Sequence, residues 1–114
     1  MKKLRIIPPT LRERRRYIAF QVIPEIEEDF TYSDLEAAIW NVTLDFLGED
    51  GVAKTSMWLL KDTWNPRTRT GIIRCNHKST EVVITSLGLI DRLGDNRICF
   101  KILKVSGTIR GLRL

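Results

Sequence analysis

Cys75 and His77, in the run Cys75-Asn76-His77-Lys78, are the residues of this sequence that come nearest to a nucleophile and its base. Such a couple works only when a third group orients the imidazole, and nothing in the sequence nominates one. His77 is the single histidine, and the two cysteines, Cys75 and Cys99, do not form a close ligand pair. A tetrahedral zinc site therefore lacks ligands. Glu27, Glu28 and Asp29 are able to collect a divalent ion, but carboxylates spaced that tightly read first as a solvated loop. Neither a phosphate-cradling Walker loop nor a dinucleotide-binding glycine pattern is present. The expectation is a chain with no catalytic residue, no metal and no cofactor of its own.

The arginines say more. Arg12, Arg14, Arg15 and Arg16 put four guanidinium groups within five positions, and Arg67, Arg69 and Arg74 punctuate a later segment with Lys78 just beyond it. Arginine suits bidentate contact with phosphate oxygens, and a cluster of this density makes a strong local field. The charge is also unevenly placed. Between Arg16 and Lys54 there is no basic residue, and nine of the 14 acidic residues fall there; the rest of the chain holds all 19 Lys and Arg. An overall charge of +5 thus conceals an anionic segment inside a strongly cationic chain. That pattern suits a polyanion on one side and something else on the other. The eight basic residues named above are the candidate RNA-binding set.

These side chains need a scaffold, and the chain can build one. Its 114 residues make a single domain with one core, and a hydrophobic content of 43% argues against general disorder. No apolar run approaches the roughly 20 residues that span a bilayer. Pro8 and Pro9 interrupt the N-terminal apolar stretch, so a signal peptide is not expected and the protein reads as cytoplasmic. Both cysteines lie in apolar runs and are expected as buried free thiols.

Residues 17–23 are β-branched and aromatic and form a strand closed by Pro24. Residues 25–29 are an acidic loop. Ser33 with Glu36 makes a capping box, and Leu35, Ala38, Ile39, Val42 and Phe46 follow at helical spacing until Gly48. Residues 48–56 then read as a loop, 57–64 as a strand, Asn65-Pro66 as a turn, and 67–75 as the returning strand. Val83, Leu87, Ile90 and Leu93 predict a helix over 79–93 ended by Gly94. Residues 97–105 are the last strand. The order is βαββαβ, an α+β fold of the ferredoxin-like or RRM-like split βαβ type. It implies a four-stranded antiparallel sheet with two helices on one face, its first strand beside both the third and the last. A basic arm (1–13) precedes this domain (14–106) and a basic tail (107–114) follows it. Since the first and third strands are neighbours, the two arginine groups are expected to converge. The third strand, Arg69-Thr70-Gly71-Ile72-Ile73-Arg74-Cys75, lacks the aromatics of a base-stacking platform. Phosphate and shape recognition of a folded RNA fits better.

With these pieces in order, the sequence resembles a known family. Pro8-Pro9-Thr10-Leu11-Arg12-Glu13-Arg14-Arg15-Arg16-Tyr17-Ile18-Ala19-Phe20, Gly71-Ile72-Ile73-Arg74-Cys75 and Val105-Ser106-Gly107-Thr108-Ile109 are similar to segments of the archaeal ribonuclease P protein component 2 family. The resemblance implies an RRM-like subunit of the ribonucleoprotein that removes the 5′ leader of precursor tRNA. In that complex the RNA subunit, with magnesium, performs the hydrolysis. It also implies ribonuclease P RNA, ribonuclease P protein component 3 and other ribonuclease P proteins as partners. Two other readings fit the charge pattern: a different RNA-binding protein on an RRM-like fold, and a protein-interaction module whose basic surface is incidental.

Overall fold

The computed structural model describes residues 14–26, 30–94 and 96–112. In chain order the elements are β1 (Arg15–Pro24), α1 (Tyr32–Thr55), β2 (Trp58–Leu59), β3 (Thr70–Asn76), α2 (Thr80–Gly88), β4 (Arg92–Leu93) and β5 (Asn96–Ser106). Short 3-10 turns occupy Lys61–Thr63, His77–Ser79 and Arg110–Leu112. The sheet runs β2-β3-β1-β5-β4 with every pair antiparallel. The protein is a mixed α+β fold, and its central strand β1 does lie between the strand of residues 70–76 and the long last strand.

Five strands replace the four expected. The helix predicted over 79–93 ends at Gly88, and Gly94, at φ +65°, turns the chain so that Arg92 and Leu93 pair with Arg97 and Asn96. Glycine takes that positive φ at no steric cost, and the pairing of Arg92 and Leu93 makes Gly94 a residue of the hairpin turn and not a helix stop. The helical spacing was misleading here because Ile90 and Leu93 do reach the same core as Val83 and Leu87, but from the turn and the strand beyond the helix.

Helix α1 also differs at both ends. Its cap is Thr31, whose Oγ1 accepts from the Asp34 amide at 3.1 Å, so the helix starts one residue before Ser33. Gly48 (φ 76°, ψ 170°) leaves the helical conformation as expected and kinks α1, but the stretch predicted as a loop is a second helical segment reaching Thr55. Ser56 closes it in the left-handed conformation, its amide donating to the Ala53 carbonyl. The predicted strand over 57–64 pairs for only two residues before the chain tightens into the turn at Lys61–Thr63.

Alternation along β1 decides which face is covered. Ile18, Phe20 and Val22 are buried with Leu35, Ile39, Ile73, Val83 and Leu87, so both helices contribute to one core on that face. Gly71 permits close packing here, since a Cβ would lie 3.0 Å from Phe20 Cζ and 3.1 Å from Trp64 Cε3. Asn96 ties the β5 start to the far side of β1. Its amide donates to the Ile26 carbonyl at 2.6 Å and its Oδ1 accepts from the Ile26 amide at 3.1 Å. Residues 107–112, placed by sequence in a tail, fold back so that Arg110–Leu112 lies against β1 and β5 with Leu112 buried. Both cysteines are free, but only Cys75 is buried; Cys99 is exposed, contrary to expectation, because it alternates with the core-facing Ile98 and Phe100 of β5.

Candidate nucleic-acid interface

The face of the sheet away from the helices is built from the other alternating positions: Arg15, Tyr17, Ala19 and Gln21 of β1 and their cross-strand partners. The β1–β3 register sets Arg15 opposite Asn76 and Tyr17 opposite Arg74. The His77 amide donates to the Arg14 carbonyl at 2.8 Å, which keeps the entry to β1 beside the turn that carries exposed Lys78. Arg14, Arg15, Arg74 and Lys78 therefore gather at one end of β1. Arg16 belongs to the same end but faces the other way, opposite Cys75. Its Nη1 donates to the Arg15 carbonyl at 3.0 Å, and its guanidinium lies against Gly107. Arg16 thus packs against the chain as well as carrying charge.

Arg67 and Arg69 do not join this group. The Val22 amide donates to the Arg69 carbonyl at 2.9 Å, which fixes the turn before β3 at the opposite end of β1. Asn65 Oδ1 accepts from the Arg67 amide at 2.9 Å and holds that turn closed. Seven residues of extended chain separate the two ends, about 23 Å at ~3.3 Å per residue. Neighbouring strands bring arginines together only where the register does, and an antiparallel register sends the two ends of β3 to opposite ends of β1. Arg12 lies outside the described residues.

Between the two ends the open face is basic along β5, which the sequence reading missed. Lys101 stands opposite Gln21 and Lys104 opposite Ala19, both exposed. Their spacing of three residues fits one face because the pairing slips there: Ala19 meets Lys104 while Phe20 meets Ile102, leaving Leu103 as the extra residue of a bulge. Arg97 and Arg92, paired across β4 and β5, continue the line. Period-two alternation in Arg97-Ile98-Cys99-Phe100-Lys101 would have revealed part of it. Arg92 was hidden by its assignment to a helix.

The chemistry available is charge and hydrogen bonding. Burial pushes the Cys75 thiol up from its ordinary value, more than the Thr80 hydroxyl and the Arg16 guanidinium pull it down. A raised pKa favours the thiol over the nucleophilic thiolate. Among the described residues no group of three His, Cys, Asp or Glu side chains is placed to hold a metal; Glu27, Glu28 and Asp29 lie outside them. On the helical side, Asp34, Asp45, Glu49 and Asp50 of α1 are exposed, so the covered face is acidic where the open face is basic.

Comparison with known proteins agrees with this architecture. A relative from Pyrococcus horikoshii named ribonuclease P protein component 2 is 41% identical over 113 residues, covering 99% of this chain and 91% of its own length. A Pyrococcus furiosus relative of the same name is 46% identical over 107 residues, 94% of this chain and 86% of its own. The Methanocaldococcus jannaschii relative is 32% identical over 114 residues, 100% of this chain and 81% of its own. In fold, the chain matches one in the cryo-EM structure of yeast ribonuclease MRP with a TM-score of 0.67 at 17% identity, covering 94% of this chain and 83% of that one. The model of the Rpp14/Pop5 family matches residues 16–114, and on that match and these relatives the chain belongs to the Rpp14/Pop5 family.

Proposed function

We propose that this chain is a non-catalytic protein subunit of an archaeal ribonuclease P, on an RRM-like scaffold of the split βαβ type. Its role is to bind and support the RNA subunit, which cleaves the 5′ leader from precursor tRNA using magnesium. The observation that carries the reading is the full-length likeness to archaeal ribonuclease P protein component 2, coupled to a sheet whose helix-free face carries basic residues at both ends and along β5. Arg14, Arg15, Arg74 and Lys78 neutralise phosphates at one end of that face, Lys101, Lys104, Arg97 and Arg92 along β5, and Arg67 and Arg69 at the far end. Phosphate contacts of this kind position a folded RNA without reading its bases. The protein works in the cytoplasm beside ribonuclease P protein component 3 and other ribonuclease P proteins.

Reconstitution tests this directly. The chain, its component 3 partner and the cognate ribonuclease P RNA are combined, and precursor-tRNA cleavage is followed at low magnesium. Cleavage should depend on the chain and weaken when Arg14, Arg15 and Arg74 become alanine. Equal cleavage without the chain sinks the proposal.

A further inference from the structure

At the edge of the sheet opposite β4, the two-residue strand β2 leaves an aromatic residue uncovered. Leu59 enters the core, so its neighbour Trp58 is turned outward and is 57% exposed. Its ring does not lie free. Trp40 of α1 meets it edge-on, with centroids 6.4 Å apart and planes at 69°, which fixes the indole on the helical side of the edge. Beside it opens a cleft of about 360 Å³ lined by Glu36, Trp58, Leu59, Leu60, Lys61 and Asp62. Two carboxylates face one ammonium there, and that ammonium is directed elsewhere: Lys61 Nζ lies over the Tyr32 ring, 5.9 Å from its centroid.

We infer that this cleft receives an arginine side chain of a protein partner. An exposed indole face attracts a cation, and guanidinium stacks on it better than ammonium does because it is planar and less tightly hydrated. Carboxylates supply the matching acceptors for its forked N–H donors. Glu36 lies close enough to the Tyr32 phenol to raise its pKa, but among the described residues the hydroxyl makes no hydrogen bond, so the carboxylate keeps its acceptor sites. The same charges disfavour RNA, whose phosphates would meet Glu36 and Asp62. Arg74 is the cross-strand partner of Trp58 on β3, while the ring contact of the indole is with Trp40. A buried aromatic and an arginine are also the commonest energetic anchors of protein interfaces. The inference deepens the reading of the chain as one subunit among several proteins, yet its test reads the cleft alone and is separable from precursor-tRNA cleavage.

The full-length chain, labelled with nitrogen-15, is titrated with N-acetylarginine amide, its citrulline counterpart and uridine monophosphate while the indole N–H signals of Trp40, Trp58 and Trp64 are followed. Trp58 should shift saturably with the arginine compound and respond at least about fivefold more weakly to citrulline, the loss expected from a surface cation–π and charged contact. Glu36→Gln with Asp62→Asn should weaken the arginine response by at least about the same factor. Trp64, stacked on Phe20 with ring centroids 6.3 Å apart, should not move and reports whether the variant is folded. An equal response to citrulline, a stronger response to uridine monophosphate, or an unchanged response in a folded double variant overturns the inference. The citrulline comparison stands on the unmodified protein if that variant does not fold.

Discussion

Alanine substitutions at the two ends of the open face should act on RNA affinity independently, and the sheet register says by how much they are separated. Arg15 is opposite Asn76, while Arg69 is tied to Val22, seven residues further along β1. That separation of about 23 Å is nearly three times the Debye length of ~8 Å at physiological ionic strength. Screening reduces the mutual field of the two ends roughly twentyfold on that scale. Phosphates bound at one end therefore do not sense the charges at the other. The pair Arg14→Ala and Arg15→Ala and the pair Arg67→Ala and Arg69→Ala should each weaken binding, and the quadruple variant should lose the sum to within about 0.5 kcal/mol. By contrast Arg15 and Arg74 are only two residues apart in register, roughly 7 Å, so their losses should couple. Fluorescence anisotropy of labelled ribonuclease P RNA over a range of potassium chloride gives both quantities needed. If all four arginines contact phosphate, the log–log salt slope should fall by at most about 3.6, taking ~0.9 per phosphate from B-form DNA. A coupling above about 1 kcal/mol between the distant pairs would refute the separation. An unchanged slope in the quadruple variant would refute phosphate contact at both ends.

Other consequences can be checked on the isolated chain. Asn96→Ala removes both hydrogen bonds to the Ile26 backbone and should cost about 1–2 kcal/mol, or roughly 4–8 °C in calorimetric Tm; a shift under about 1 °C would show that the bridge is not formed in solution. Gly71→Ala pushes a methyl against Phe20 and Trp64 and should destabilise by about 1–3 kcal/mol in urea unfolding, with an altered tryptophan signal in the near-ultraviolet. Burial, and then the Glu36 carboxylate, raise the Tyr32 phenol from 10.0 to about 12. Because the folded value is the higher one, this residue's contribution is complete below pH 10.0 and is lost as pH rises towards about 12. Tyr32→Phe should flatten that alkaline decline in a pH series of unfolding curves. A disulfide reagent should modify one thiol, Cys99, promptly and Cys75 only after denaturation; Cys99→Ser should abolish the fast phase.

What the sequence disclosed depended on how local the determining physics was. The strand of residues 17–23 was legible because β-branched and aromatic residues fill it and proline ends it. The core of α1 was legible because Leu35 and Ile39 recur at the helical period. Gly48 was legible as the break in α1, because its positive φ interrupts the helix there, but the second helical segment that follows it to Thr55 was not. The hairpin at Gly94 was missed because burial from two different elements imitates one helical stripe. For the candidate site, residue type was legible and placement was not. Arginine clusters nominate a candidate polyanion surface, but an antiparallel register decides that Arg74 joins Arg15 and that Arg69 does not. The bulge at Leu103, which brings Lys104 onto the face of Lys101, has no marker in composition at all.

The fold also converts a division along the chain into a division through space. The basic-free segment from residue 17 to residue 53 contains β1 beyond its entry and nearly all of α1. Because β1 is central and largely buried, it contributes almost no charge, and the acidic residues of α1 are left exposed on the helical layer. The strands that flank β1, together with their turns, come from the cationic remainder and supply the charge of the open face. With screening acting over about 8 Å, a polyanion approaching the sheet meets Arg74, Lys101 and Lys104 before it senses Asp45 or Glu49 behind the core. A modest net charge of +5 therefore understates the attraction on one side and conceals repulsion on the other. Orientation, not only affinity, follows from that arrangement: RNA seated on the open face, as proposed, would leave the acidic layer on the side away from it.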